Sequence, residues 1–131
     1  MIEVRGINHV TIRVSNLRRS LEFYIDILGA KLVHKGNTDV YLDMGGTWLC
    51  LLEFKNAKPM DKEHICIDHF AFTVTEDHFP DAVKELIKHK VNITRGPIER
   101  GGGKSINFTD PDGNELEFFT GTLYQRMKNW K

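Results

Sequence analysis

Histidines stand at matched places in two near-copied segments, Ile7-Asn8-His9-Val10-Thr11-Ile12-Arg13-Val14 and Ile67-Asp68-His69-Phe70-Ala71-Phe72-Thr73-Val74. A carboxylate, Glu117, follows the turn Asp110-Pro111-Asp112-Gly113-Asn114, and in the repeat its place corresponds to Cys50. The aligned final strands set Trp48 against Glu115, Leu49 against Leu116 and Cys50 against Glu117. A pseudo-twofold arrangement therefore gathers His9, Cys50, His69 and Glu117. Two imidazoles and a carboxylate suit a borderline divalent cation and leave coordination positions open for a substrate, as a catalytic site requires. Cys50 reads as a small buried thiol or a fourth ligand. A single inward histidine is more often a packed core residue than a ligand, but matched histidines with a matched carboxylate are hard to obtain from packing alone.

Elements of two periods must position these residues. Both histidine segments alternate apolar and polar residues as half-buried strands do, so His9, Thr11 and Arg13 share one face, as do His69, Ala71 and Thr73. Ser15 or Asn16 can cap a helix with apolar positions Leu17, Leu21, Tyr24, Ile25 and Leu28, stopped at Gly29. Strands are expected at Lys31 to His34, Val40 to Met44 and Trp48 to Glu53, with Gly45-Gly46 turning the last two. Lys55 to Asp61 reads as a polar linker. In the second copy Thr75 can cap a helix with Glu76 and Asp77 in its first turn and a stripe of Phe79, Val83, Leu86 and Ile87. Strands follow at Val91 to Arg95, Ser105 to Thr109 and Glu115 to Phe119, and the tail from Thr120 suggests a short helix. The expected fold is α+β: paired βαβββ modules, residues 1–60 and 63–131, in a single domain spanning 1–131. Four strands per half call for a second half, or a second chain, to pack against.

The chain has 131 residues, 40% hydrophobic and 27% charged, as in an ordinary globular domain. Lys+Arg and Asp+Glu both number 18, so no net field favours nucleic acid or a membrane surface. No apolar stretch is long enough to span a bilayer, the first residues do not resemble a signal peptide, and a reducing cytoplasm is the expected compartment for Cys50 and Cys66. His34, His64, His78 and His89 lie in polar or helical contexts and are expected at the surface. Gly103-Lys104-Ser105 is not a phosphate loop, because Ile98 replaces the first glycine and a strand follows; a mobile loop is expected there, with amides able to cradle an anion. Trp48 and Phe72, read by packing alone, are expected in the core.

Paired βαβββ units with a histidine opening each half and a glutamate after Asp-Pro-Asp-Gly resemble the vicinal oxygen chelate superfamily. It includes glyoxalase I, extradiol dioxygenases, bleomycin-binding proteins and fosfomycin-resistance enzymes. The likeness covers almost the whole chain and implies a metal that acts as a Lewis acid on adjacent substrate oxygens. Within it, Ile7 to Thr11, Tyr41 to Leu51 and Gly121 to Arg126 resemble the fosfomycin-resistance thiol transferases. That resemblance implies His9, His69 and Glu117 as metal ligands, with His9 supplied by the partner subunit of a homodimer. It also implies Thr11, Trp48, Ser105 and Arg126 around fosfomycin. Thr11 can donate to an oxyanion beside the metal, and Arg126 can clamp a phosphonate with two hydrogen bonds. Mn²⁺ is the favoured ion, with Fe²⁺, Zn²⁺, Ni²⁺ and Co²⁺ as alternatives, and a low-molecular-weight thiol is the implied co-substrate.

The chain also departs from that branch. A lysine that its thiol transferases use on the phosphonate aligns near Pro97, a pocket tyrosine is Asn107, and an aromatic before the second histidine is Ile67. Arg100 or Lys104 can replace the lost cation. A rival reading is an epoxide hydrolase of the same branch, in which Asp39 stands where an acidic residue activates water; the simplest reading of Asp39 is a solvated turn residue. Further readings are another lyase, isomerase or dioxygenase acting on a small oxygen-rich substrate, or a metal-free drug-binding protein.

Overall fold

The computed structural model describes residues 1–129. Two compact units divide between Pro59 and Met60. Each contains a βαβββ module whose four strands form a mixed sheet, in the orders β1-β4-β3-β2 and β5-β8-β7-β6.

In the first unit the strands are β1 (Val10–Val14), β2 (Lys31–Lys35), β3 (Asp39–Met44) and β4 (Thr47–Glu53). Alternation fixes the faces: Ile12, Val14, Val40, Leu42, Leu49 and Leu51 are buried, while Thr11 and Arg13 are exposed. Helix α1 (Leu17–Leu21) is capped by Asn16, which accepts the Arg19 N–H at 3.0 Å. The α-helical expectation then needs correction. From Glu22 to Ile27 the helix widens into a π-helical stretch, with the Leu28 N–H donating five residues back to the Phe23 carbonyl at 3.0 Å. Phe23 and Tyr24, adjacent in sequence, are both buried there. Gly29 ends the helix at φ 81°, a conformation that costs a residue with a Cβ.

In the second unit the strands are β5 (Phe70–Thr73), β6 (Ile93–Arg100), β7 (Gly103–Thr109) and β8 (Glu115–Phe119). Ile106, Phe108, Leu116 and Phe118 enter the core with Phe79 and Leu86 of helix α2 (Phe79–Lys88). Helix α2 begins later than expected. Thr75 closes a turn instead, accepting the His78 N–H at 3.3 Å. Pro80 explains the shift: without an N–H it fits the first helical turn, but a start near Glu76 would place it in the interior. Ile87, expected in the apolar stripe, is 59% exposed. The glycine run is a two-residue hairpin turn and not a longer loop, because β6 continues to Arg100, which pairs with Gly103. Gly101 and Gly102 turn the chain at φ 58° and 82°. Helix α3 (Leu123–Asn129) packs over this turn: a Cβ on Gly101 would lie 2.8 Å from Arg126 Cγ.

The turn before β8 is held by buried Asp110. Its carboxylate accepts the backbone N–H groups of Asp112 (2.9 Å) and Asn114 (2.8 Å) and the Asn114 side-chain amide (2.9 Å). Asp110→Ala leaves those donors without their charged acceptor and should cost about 2 kcal/mol. A urea denaturation midpoint equal to that of wild type would contradict this role.

Candidate metal and substrate site

The parallel pairing of first and last strands sets corresponding residues side by side in the two units. Thr11 pairs with Cys50 in the first, and Ala71 with Glu117 in the second. Cys50 and Glu117 thus hold equivalent places, each beside the residue two positions after a histidine.

On the first unit's polar face, Thr11, Cys50 and Tyr41 form one row across β1, β4 and β3. His9 is exposed just before β1 and stacks on Trp48, with ring centroids 4.3 Å apart at 29°. Trp48 is 42% exposed, so packing alone misplaced it; it meets Tyr41 edge-on at 5.5 Å. Strand parity accounts for this, since Trp48 shares the face of Cys50 and not that of Leu49 and Leu51. Asp39 pairs with Leu52, one row beyond Tyr41 on the same face. Burial pushes the Cys50 thiol above its ordinary pKa, a hydrogen bond from Thr11 opposes the rise, and the charge of Asp39 adds to it. Cys50 is therefore a neutral thiol near neutral pH.

In the second unit two metal-ligating groups converge. His69 Nε2 lies 3.1 Å from Glu117 Oε1, and the Ser105 hydroxyl donates to Glu117 Oε2 at 2.7 Å. Ser105 is buried, Glu117 half-buried, and the His69 side chain 37% exposed. An imidazole nitrogen and a carboxylate oxygen directed at one another are a donor pair fitted to a divalent cation. Among the described residues no three His, Cys, Asp or Glu side chains come together as a complete cage. Asn107 pairs with Glu117 across β7 and β8. Arg100 falls on the Ser105 face by register, as do Ile98 and Gly103. Lys104 takes the other face and reaches Glu76 at 3.4 Å, so the structure does not bring it to Ser105 and Glu117. Arg126, on α3, lies with its stem against the Gly101 turn. The remaining histidines (His34, His64, His78 and His89) are all exposed, as expected.

Sequence reasoning missed the polar residues around the histidines. His9 Nδ1 is 2.7 Å from Asn8 Oδ1, and His69 Nδ1 is 2.7 Å from Asp68 Oδ2. Lys62 lies between Asp68 Oδ1, at 3.6 Å, and Glu115, to which it donates a hydrogen bond. Thr94 also donates to Glu115, at 2.6 Å. Hydrogen bonding to His69, and then the charge of Lys62, hold Asp68 below the usual carboxylate range. Lys62 and then Thr94 do the same for Glu115, and Lys62 is raised in return, first by its hydrogen bond to Glu115. A cavity of about 380 Å³ opens beside this network, lined by Met60, Lys62, Thr94, Thr109 and Glu115 among others. The repeat carried a signal for two of these residues, because a polar amide or acid precedes each histidine.

The profile of the Glyoxalase/Bleomycin resistance protein/Dioxygenase superfamily matches residues 6–118. Metallothiol transferase FosB of Staphylococcus epidermidis is 43% identical over 129 residues, covering 98% of this chain and 92% of that protein. Metallothiol transferase FosB of Lysinibacillus sphaericus is 42% identical, covering 98% and 91%. Among solved structures, the fosfomycin resistance protein FosX of Listeria monocytogenes, complexed with Mn(II) and sulfate ion, aligns with a TM-score of 0.81. Its identity is 23%, with 98% of this chain and 100% of that one covered, so this likeness concerns the fold.

The two cysteines should differ in reactivity, Cys50 being buried and Cys66 exposed. A thiol reagent such as Ellman's should titrate one fast thiol in the native chain, none in Cys66→Ser, and two after unfolding. Two fast thiols in the native protein would show that Cys50 is accessible and ionisable.

Proposed function

The chain belongs to the Glyoxalase/Bleomycin resistance protein/Dioxygenase superfamily, and from that premise we propose that it is a metal-dependent thiol transferase of the fosfomycin-resistance type. The observation that carries this reading is the convergence of His69 Nε2 and Glu117 Oε1, with Ser105 occupying the other carboxylate oxygen. It lies in a chain more than 40% identical, over nearly its whole length, to metallothiol transferases. Both halves act as one vicinal oxygen chelate domain in a homodimer. His69 and Glu117 hold a divalent metal, Mn²⁺ first among candidates, with His9 of the partner subunit as third ligand. No helix among the described residues is long and apolar enough to cross a membrane. We assign the enzyme to the cytoplasm because its proposed co-substrate, a low-molecular-weight thiol, is kept reduced there.

When bound, the metal supplies Lewis acidity toward an epoxide oxygen. The thiolate sulfur of a small thiol forms a C–S bond as the epoxide C–O bond breaks, and the released oxygen takes up a proton. Thr11 donates a hydrogen bond toward the developing oxyanion. Arg126 grips the phosphonate, and Arg100, on the Ser105 face, replaces the cation lost at Pro97. Trp48 holds His9 by stacking and offers the substrate an apolar wall. Ser105 fixes the Glu117 carboxylate by donating to one oxygen, leaving the other free to bind. Cys50 is not the nucleophile, since it is buried and neutral, so the sulfur comes from solution.

One specific observation keeps an epoxide hydrolase in view: Asp39 lies on the face that carries Thr11 and Cys50. Mass spectrometry of fosfomycin incubated with the protein and Mn²⁺, with glutathione, bacillithiol, cysteine or no thiol, separates the two readings. A thioether adduct that needs both metal and thiol is expected. A diol formed without thiol and lost in Asp39→Asn would assign the hydrolase instead, since an amide cannot take a proton from water. Unchanged fosfomycin under every condition would remove both readings.

A further inference from the structure

We propose that Asp68 and Asn8 are positioning residues that fix which nitrogen of each histidine faces the metal, and that Lys62 holds Asp68 in place. The inference rests on the metal-site reading above and concerns residues which that reading leaves idle. In both units the residue just before the histidine places a side-chain oxygen 2.7 Å from Nδ1. Carboxylates flank both ring nitrogens of His69, and a carboxylate only accepts. With a cation held between Nε2 and Glu117, the Nε2 lone pair is taken by that cation and the imidazole proton sits on Nδ1, where Asp68 accepts it. Nε2 is the atom directed at Glu117, at 3.1 Å. Asn8 Oδ1 does the same for His9, whose ring is further held flat against Trp48.

The two supports differ in charge. Asp68 is anionic and gives its imidazole a charge-assisted hydrogen bond, whereas the amide of Asn8 gives a neutral one. Asp68 is exposed and would otherwise sample several rotamers. Its second oxygen is drawn toward Lys62, which is anchored in turn by Glu115 on the strand that carries Glu117. The chain Glu115, Lys62, Asp68, His69 thus begins and ends beside Glu117. One end of β8 supplies a ligand and also anchors the support of the other ligand.

The test is titration of the metal-free, full-length protein with Mn²⁺ by calorimetry, comparing wild type, Asp68→Ala and Asp68→Asn. Wild type should bind, Asp68→Ala should bind about 10–100-fold more weakly, and Asp68→Asn should recover most of the loss because it copies the arrangement at His9. A second readout is the His69 Nδ1–H proton in the Zn²⁺-loaded protein by NMR. It should be protected from solvent exchange in wild type and Asp68→Asn and lost to exchange in Asp68→Ala. Asp68→Ala binding Mn²⁺ as tightly as wild type, or keeping the protected proton, would overturn the proposal while leaving the metal site intact. Wild type that binds no Mn²⁺ would overturn both.

Discussion

Parallel pairing between the first and last strand of each unit is the constraint that the site depends on. A parallel pair cannot be joined by a tight turn and needs a long connection; here a helix and two further strands supply it, and the last strand returns to lie beside the first. That return carries residues from the end of a module to the residues after its histidine. In the second unit it brings Glu117 to Ala71 and so within reach of His69. In the first it brings Cys50 to Thr11. The Asp110 turn and the Gly45-Gly46 turn set the register of each final strand, and a slip of one residue would send Glu117 or Cys50 to the core face.

One scaffold used twice therefore carries two different chemistries. The second unit concentrates charge: Glu117, His69, Asp68, Lys62 and Glu115 form a connected set, partly screened from water by burial of the glutamates. The first unit carries a hydroxyl, a buried thiol and an aromatic row of His9, Trp48 and Tyr41. The place equivalent to Glu117 is taken there by a thiol, and burial, with the charge of Asp39 adding to it, keeps that thiol protonated.

Much of this was legible in the sequence, because strand alternation and the histidine repeat are strong periodic signals. The equivalence of Cys50 with Glu117 followed from aligning the two final strands, and the Asp-Pro-Asp-Gly turn marked the start of β8. Other features were hidden where two local signals competed. Thr75 reads as a helix cap until Pro80 is counted from the proposed start. Three successive glycines read as mobile, yet two of them supply the positive φ angles of a tight hairpin. Trp48 reads as core by hydrophobicity and as exposed by parity, and parity prevailed. Parity likewise separates Lys104, which pairs with Glu76, from Arg100 on the Ser105 face. The contacts of Asp68 and Lys62 depend on side-chain reach across loops, which periodicity does not encode.

The central claim is that one metal is held by His9, His69 and Glu117. Metal content decides it most directly, measured by elemental analysis after equilibration with Mn²⁺ and gel filtration, on wild type and on His9→Ala, His69→Ala and Glu117→Ala. The expected result is one metal per chain in wild type and strong loss in each variant, with folding retained by circular dichroism. Occupancy equal to wild type in any of the three variants would contradict the assignment of that ligand, and equal occupancy in all three would place the metal elsewhere.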